Sequence, residues 1–310
     1  MSTESAFIES LRRLATHPAA RGLLDDAAVL EVGGSRLVLT HDVLAEGVHF
    51  LPGDPAQDVA WKLVAVNLSD LAAKGARPVG VLLGFPLGDA DWDRAFVQGF
   101  GAALSAFGVA LLGGDTVTGP RVLGLTAIGE APGPVPSRSG AGAGDRLWVS
   151  GSIGDAGAGL RVLKGELPDA PALVERYRTP RPRLELGEAL APLVTAMMDV
   201  SDGLLIDAAR MAEASGAAVR IDLEAVPLSE ACVSALGDGR DARLAAATAG
   251  DDYELLFAAP PERAQALLAL SDRLGIPLTP VGAFGPGSGL TLADRGAPLP
   301  LPLRLGWEHG

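Results

Sequence analysis

Short β-favouring apolar runs alternate along this chain with longer segments whose apolar residues recur at helical spacing. That alternation restricts it to layered architectures, α/β or α+β, in which helices flank sheets. Residues 36–40 (RLVLT) read as a strand that stops just before Asp42. Asp54-Pro55 opens a helix to about Lys74, with Val59, Leu63, Val66 and Leu71 as its apolar stripe and Gly75 as its stop. Residues 79–83 form the next strand, and Asp91 caps a helix that runs to Phe107 and closes on Gly108. Residues 109–112 are a strand ending on Gly113-Gly114-Asp115, and residues 121–128 are one more.

Residues 131–145 (APGPVPSRSGAGAGD) are rich in Gly, Pro and Ser and separate two domains, 1–136 and 137–310. Beyond the linker, a strand at 146–149 leads into the glycine-rich turn 151–159. A strand at 196–198 runs into Asp199, and Ser201 starts a helix that Gly216 ends. Strands at 219–223 and 255–258 and a helix at 261–274 follow, while Gly285, Gly287 and Gly289 are turn glycines. No internal repeat is visible.

Composition narrows the function. A chain of 310 residues suffices for two domains with their own cores. Its formal net charge of −13 argues against nucleic acid, which needs a basic face. The single cysteine, Cys232, excludes an internal disulfide and a thiolate zinc site, and 4 scattered histidines leave little room for a histidine metal cluster. The N-terminus lacks a signal-peptide pattern, and apolar runs such as 79–87 are cut by Gly84 and Pro86, well below a membrane span of ~18 residues. The expected location is cytoplasmic, without membrane contact. An acidic protein can still handle anionic substrates if divalent cations sit between the two.

Aspartates gather at element ends: Asp25-Asp26, Asp42, Asp70, Asp115, Asp199 with Asp202, and Asp251-Asp252. Those are the places where α/β proteins bind ligands. Oxygen donors without Cys or His suit magnesium, which keeps waters and bridges to phosphate. Each aspartate also has a purely structural reading. Asp70 stands four residues before Lys74 and could form a helix surface pair worth ~0.3–0.5 kcal/mol. Asp202 could favour a helix dipole behind a Ser201 cap. The common nucleotide signatures are absent: there is no G-x-x-x-x-G-K-[ST], no strand-to-helix G-x-G-x-x-G, and no H-R-D with D-F-G.

In order, the aspartate segments are LDDAAVL (24–30), THDVLAEGVHF (40–50), WKLVAVNLSDLAAKGARP (61–78), LLGGDTVTGP (111–120), SRSGAGAGD (137–145), VSGSIGDAGAGL (149–160), MDVSDGLLID (198–207), AGDDYELLF (249–257) and GWEH (306–309). This set resembles the thiamine-monophosphate kinases, within the superfamily of aminoimidazole ribonucleotide synthetase and selenophosphate synthetase. The resemblance spans residue 24 to the end, and the full ordered set is very specific. It implies two α/β domains with mixed sheets flanked by helices. It also implies an ATP- and Mg²⁺-binding N-terminal domain that pairs into a homodimer, and a C-terminal domain that completes the active site. The implied activity is ATP- and Mg²⁺-dependent phosphorylation of thiamine monophosphate to thiamine diphosphate, with several Mg²⁺ ions.

By the same resemblance Asp25, Asp26, Thr40, Asp42, Asp70, Asp115, Asp199 and Asp202 match magnesium positions, with either Asp25 or Asp26 as the direct ligand. Gly114, Asp115, Arg138 and Ser201 match ATP-contacting positions, and His49, Asp251 and Trp307 match positions near thiamine phosphate. The chain departs from the pattern in places. Gly22-Leu23-Leu24 stands for Gly-x-Gly, and His41 follows Thr40 where a further threonine is usual, as a metal ligand or a bystander. Asp251 stands for a glutamate, and His309-Gly310 for His-Phe.

The chemistry agrees with the resemblance. A phosphate monoester acceptor with a second pKa of about 6 is already ionised near neutrality and needs no general base. The obstacle is repulsion between polyanions, which Mg²⁺ offsets. Glycines at 113 and 114 let backbone N–H groups approach phosphate, and a cationic thiazolium suits Trp307 and Asp251 as neighbours. The alternatives are another ATP-dependent enzyme of the superfamily or a non-catalytic ATP-binding relative. Cys232 stands neither near the N-terminus nor at the C-terminus, where a selenophosphate synthetase or a hydrogenase-maturation relative would want its cysteine.

Overall fold

The computed structural model describes residues 3–308. The first half carries α1 (Thr3–Arg12), β1 (Ala28–Val32), β2 (Ser35–Ala45), α2 (Ala56–Ala73), β3 (Arg77–Leu87), α3 (Ala90–Phe107), β4 (Ala110–Thr118) and β5 (Val122–Glu130). The second carries β6 (Arg146–Ser150), α4 (Asp155–Leu163), α5 (Pro171–Arg178), α6 (Leu184–Leu190), β7 (Ala196–Asp199), α7 (Leu204–Ser215), β8 (Ala218–Asp222), α8 (Glu230–Leu236) and α9 (Arg240–Ala247). It ends with β9 (Leu255–Ala259), α10 (Ala264–Leu274), β10 (Leu278–Gly285), β11 (Gly289–Asp294) and β12 (Ala297–Leu299).

Both sheets are mixed. The first runs β1-β2-β5-β3-β4, antiparallel except for the β3–β4 pair at its edge. The second runs β12-β11-β8-β10-β6-β9-β7, antiparallel except for β8–β11. This is a two-domain architecture of mixed sheets flanked by helices.

One helix organises the centre. A helix that is apolar on one stripe has one wet face, but α2 buries Leu63, Val64, Ala65, Val66, Leu68 and Leu71 around its whole circumference. It packs on β2 and β5 of the first sheet and meets α5, α6 and β7 of the second half. Beyond its first turn, its few polar residues, Lys62, Asn67, Ser69 and Asp70, therefore point into protein and need partners there.

Several elements differ from the sequence reading. The strand expected to stop before Asp42 continues to Ala45, so Thr40, His41 and Asp42 lie inside β2, where β5 pairs with them throughout. Likewise β4 runs on through Gly113-Gly114-Asp115 to Thr118, because a bulge opposite Val81 and Leu82 keeps it parallel to β3. Asp89, not Asp91, caps α3, accepting from the N–H groups of Asp91 and Trp92. Ser201 caps nothing: α7 starts at Leu204, and Asp207 reaches back to accept from the N–H of Asp202 at 3.1 Å and of Gly203 at 3.2 Å. The expected Asp70–Lys74 surface pair does not form, since Lys74 is fully buried and turned to Asp25 and Asp26. Among the described residues, no helix is long and apolar enough to cross a membrane.

Candidate active site

Alternation along β2 sends Thr40, Asp42 and Leu44 toward α2 and leaves His41 and Val43 on the outer face. Thr40 Oγ1 donates to Asp70 on α2, and the Asp42 N–H donates to Asn67 Oδ1 at 3.0 Å. Asn67 in turn donates to the Leu63 carbonyl at 2.9 Å, which fixes its amide. From the second half, β7 delivers Asp199, which accepts from Ser69 Oγ at 2.6 Å. Two successive polar positions of α2 thus aim an aspartate from each sheet at the same space.

That space is a cavity of about 490 Å³ between the two halves. Asp42, Asp70, Asp199 and Asp202 line it together with His49, Tyr177, Asp251 and Trp307. Asp202 pairs with Arg210 on α7. Burial pushes Asp42 up to about 6, with help from the charges of Asp202 and Asp26. Asp199 rises to about 8, through burial first and then Asp26. Asp70 rises well above the ordinary range for the same reason, with Asp42 and Asp199 as its repulsive neighbours. These carboxylates face one another without enough positive charge between them.

The loops that carry Asp251 and Trp307 are held tightly. Asp251 has a left-handed backbone, φ 71°, and its N–H donates to the Ser201 carbonyl at 2.8 Å. Its Oδ2 accepts from Lys62 Nζ at 2.8 Å and its Oδ1 from the Tyr253 hydroxyl at 3.2 Å. Lys62 also donates to the His49 carbonyl at 3.0 Å and lies 4.0 Å above the Tyr177 ring. A side chain at Gly250 would lie 2.5 Å from the Ser201 carbonyl, and one at Gly306 would lie 2.5 Å from that of Asp202. Those glycines let the two loops close over the start of α7, where the Trp307 N–H donates to the Asp202 carbonyl at 2.9 Å. The Trp307 side chain is half exposed.

The structure therefore brings together Asp42, Asp70, Asp199, Ser201, Asp202, His49, Asp251 and Trp307 around one cavity, with Thr40 directly behind Asp70. Asp25, Asp26 and Arg138 lie outside its lining and engage Lys74, Arg21 and one another. The Arg138 Nε is buried without a hydrogen-bond partner, a donor available to an incoming anion. Gly114 and Asp115 sit apart on the exposed edge strand β4, where a side chain at Gly114 would collide with the Leu83 carbonyl at 2.0 Å. His41 is exposed, with Nδ1 2.9 Å from Thr126 Oγ1, on the face of β2 turned from the cavity. The departure at His309-Gly310 lies outside the described residues.

The sequence reading misses Lys62, Asn67 and Ser69, all inside the quoted α2 segment, and takes Lys74 only as a possible surface partner of Asp70. Their signal was polarity within a helix otherwise apolar all round.

Among the described residues, no group of three His, Cys, Asp or Glu side chains already forms a metal cage. The donor set of Asp42, Asp70, Asp199 and Asp202 still fits magnesium. That ion takes one or two carboxylates and completes its shell with water and substrate phosphate, and the raised carboxylates mark a shortage of positive charge. Asp25 and Asp26, whose oxygens are met by basic side chains and backbone N–H groups, show no such shortage.

Comparison with known proteins gives a consistent result. Residues 24–131 match the family model for the N-terminal domain of AIR synthase related proteins, and residues 142–295 match that for the C-terminal domain. The thiamine-monophosphate kinase of Caulobacter vibrioides is 43% identical over 99% of this chain and 91% of its own length. The crystal structure of thiamine-monophosphate kinase from Stenotrophomonas maltophilia is 40% identical with a TM-score of 0.80, covering 94% of this chain and 95% of that one. AaThiL complexed with AMPPCP and TMP superimposes with a TM-score of 0.87 at 29% identity, covering 100% of this chain and 99% of that one.

Proposed function

The chain belongs to the AIR synthase related proteins, and within them to the thiamine-monophosphate kinases, and on that footing we propose that it transfers the γ-phosphoryl group of ATP to thiamine monophosphate, forming thiamine diphosphate and ADP. The observation that carries the reading is the cavity itself. It offers Asp42, Asp70, Asp199 and Asp202 for a metal-bridged polyphosphate, and Asp251 with Trp307 for a cationic ring.

Thr40 and Ser69 orient Asp70 and Asp199, and Asn67 fixes the Asp42 backbone, so that these aspartates with Asp202 would hold magnesium. Magnesium supplies charge neutralisation between the two polyanions and on the transferring group. The chain's own part is positional. No lining side chain needs to act as an acid or base, because the acceptor oxygen is ionised already. Direct in-line transfer follows, since none of the cavity residues presents an activated nucleophile. Arg138 offers its buried Nε to ATP, with Ser201 beside Asp202, while Gly114 and Asp115, which match ATP positions, stand on β4 apart from the cavity lining. Lys62 and Tyr253 set the angle of Asp251 toward the thiazolium, and His49 stands beside them.

Residues 1–136 act as the ATP- and magnesium-binding and pairing domain, and residues 137–310 complete the site. A homodimer through the N-terminal domain is supported by β4, an edge strand exposed along its whole length that carries Leu111, Leu112 and Val117. The location is cytoplasmic, with no membrane or nucleic-acid partner. Chromatography of products from ATP, Mg²⁺ and thiamine monophosphate tests the reaction, with EDTA as control. Turnover of formylglycinamidine ribonucleotide or selenide in its place would overturn it, and ATP binding without turnover would identify a non-catalytic relative.

A further inference from the structure

We propose that Lys74 is a tethered cation occupying the Asp25–Asp26 pair, so that this pair binds no divalent ion in this protein. The inference rests on the magnesium-dependent reading of the cavity and divides its carboxylates into two groups.

The geometry crowds the pair with cations. Lys74 follows the last turn of α2, where the helix carbonyl end favours a cation. Its side chain is 0% exposed, against 1% for Asp25 and 4% for Asp26. An ammonium has three donors; Lys74 Nζ donates to Asp25 Oδ1 and, at 3.2 Å, to the Met197 carbonyl on β7, and stands 2.7 Å from Asp26 Oδ2 as an ion pair that leaves this oxygen without a hydrogen bond. The remaining carboxylate oxygens are also taken. Arg21 meets Asp25 Oδ2 at 2.5 Å, and Arg138 meets Asp26 Oδ1. Asp25 Oδ1 further accepts from the N–H groups of Asp26 at 3.0 Å and Arg138 at 3.2 Å.

Charge separates the groups. Two carboxylates here face three basic side chains, Lys74, Arg21 and Arg138. Burial would raise Asp25 and Asp26, but Lys74 together with Arg21 at Asp25 and Arg138 at Asp26 outweighs it, and both are held below the usual carboxylate range. Burial would likewise lower Lys74, and the charges of Asp26 and Asp25 reverse that. In the neighbouring cavity Asp42, Asp70 and Asp199 are all displaced upward. A divalent ion seeking Asp26 would have to expel an ammonium tethered at the end of α2, which is always present at high effective concentration. Lys74 also ties Met197 of the second sheet to the first half, so it fixes the negative charge of Asp26 close to Asp42, Asp70 and Asp199 without a metal.

The test counts ions. Full-length protein stripped with EDTA is titrated with Mn²⁺ in the presence of a non-hydrolysable ATP analogue, and bound ions per chain are read by electron paramagnetic resonance. Asp25→Asn is expected to bind as many ions as the unaltered chain. Lys74→Met is expected to bind one more, with a melting temperature that Mn²⁺ raises more than it raises that of the unaltered chain. Loss of one ion in Asp25→Asn, or an unchanged count in a folded Lys74→Met protein, would overturn the inference. If Lys74→Met does not fold with or without Mn²⁺, Asp26→Asn decides: an unchanged count supports the inference, and loss of one ion overturns it. An unaltered chain that binds no ion and makes no thiamine diphosphate would instead refute the magnesium reading of the cavity, while an extra ion in Lys74→Met would still support the inference.

Discussion

Ser69 Oγ donates to Asp199 Oδ2 at 2.6 Å across 130 positions of sequence, and both residues are buried. The bond joins α2, packed on the first sheet, to the last residue of β7 in the second. Asp199 is thereby aimed by a residue from the other domain, and the cavity exists only when the two domains are docked.

Replacing Ser69 with Ala should test that dependence. The hydroxyl is Asp199's donor, and losing one hydrogen bond to a buried carboxylate costs about 1.5–3 kcal/mol. A fall in kcat of roughly 10-fold, equivalent to ~1.4 kcal/mol, is expected with the fold intact by circular dichroism. Unchanged kinetics would mean that Asp199 needs no such positioning.

Asp42→Asn and Asp70→Asn should each cut turnover by at least ~10²-fold, about 2.7 kcal/mol of transition-state stabilisation. In EDTA neither should lower the melting temperature, because each removes a carboxylate that burial and its neighbours already disfavour. Near-normal turnover in Asp42→Asn would remove the metal assignment for that position.

The sequence makes the alternation of strands and helices legible, along with the break between the sheets and the aspartates that line the cavity. The exact ends of β2 and β4 are not legible, because pairing with β5 and β3 carries each strand past its apolar run into polar residues. Lys74 escapes for a different reason. Its spacing from Asp70 fits a surface pair, and only tertiary burial turns it to Asp25 and Asp26 instead. Asn67 and Ser69 are visible as polar residues in an apolar helix, but their partners, the Asp42 N–H and Asp199, lie far off in sequence.

His41→Thr should leave turnover and metal preference unchanged. The imidazole is exposed and meets Thr126 on the face of β2 turned from the cavity. Activity supported by Mg²⁺ and by Mn²⁺ in parallel assays checks this. A large loss with Mg²⁺ would show that the imidazole reaches a metal after all.

Leu111→Arg should convert a dimer to a monomer. Leu111 is 53% exposed on β4, and β3 beside it exposes Val79 and Leu82, an apolar face that a second copy can cover. A buried arginine without a partner carries a penalty of several kcal/mol, enough to dissociate a micromolar complex. Sedimentation velocity reads the outcome. A unaltered chain that sediments as a monomer would refute the pairing.

Free thiamine should be a poor acceptor compared with thiamine monophosphate. Its hydroxyl must lose a proton as it attacks, whereas the phosphate oxygen of the monophosphate is ionised near neutrality. The carboxylates nearest the expected transfer are the ones meant for magnesium, and a carboxylate engaged by a metal is a weak base. Asp251 has both oxygens occupied by Lys62 and Tyr253. Free thiamine also lacks the phosphate that a metal would bridge to ATP, so the alignment worth several kcal/mol in a bound pair is lost. A ratio of kcat/KM of at least ~10³ in favour of the monophosphate is expected, about 4 kcal/mol. The same cavity predicts no phosphoenzyme, and incubation with γ-labelled ATP alone should leave the protein unlabelled after denaturation. Comparable turnover of free thiamine, or stable labelling of the chain, would require a base or a nucleophile that this cavity does not contain.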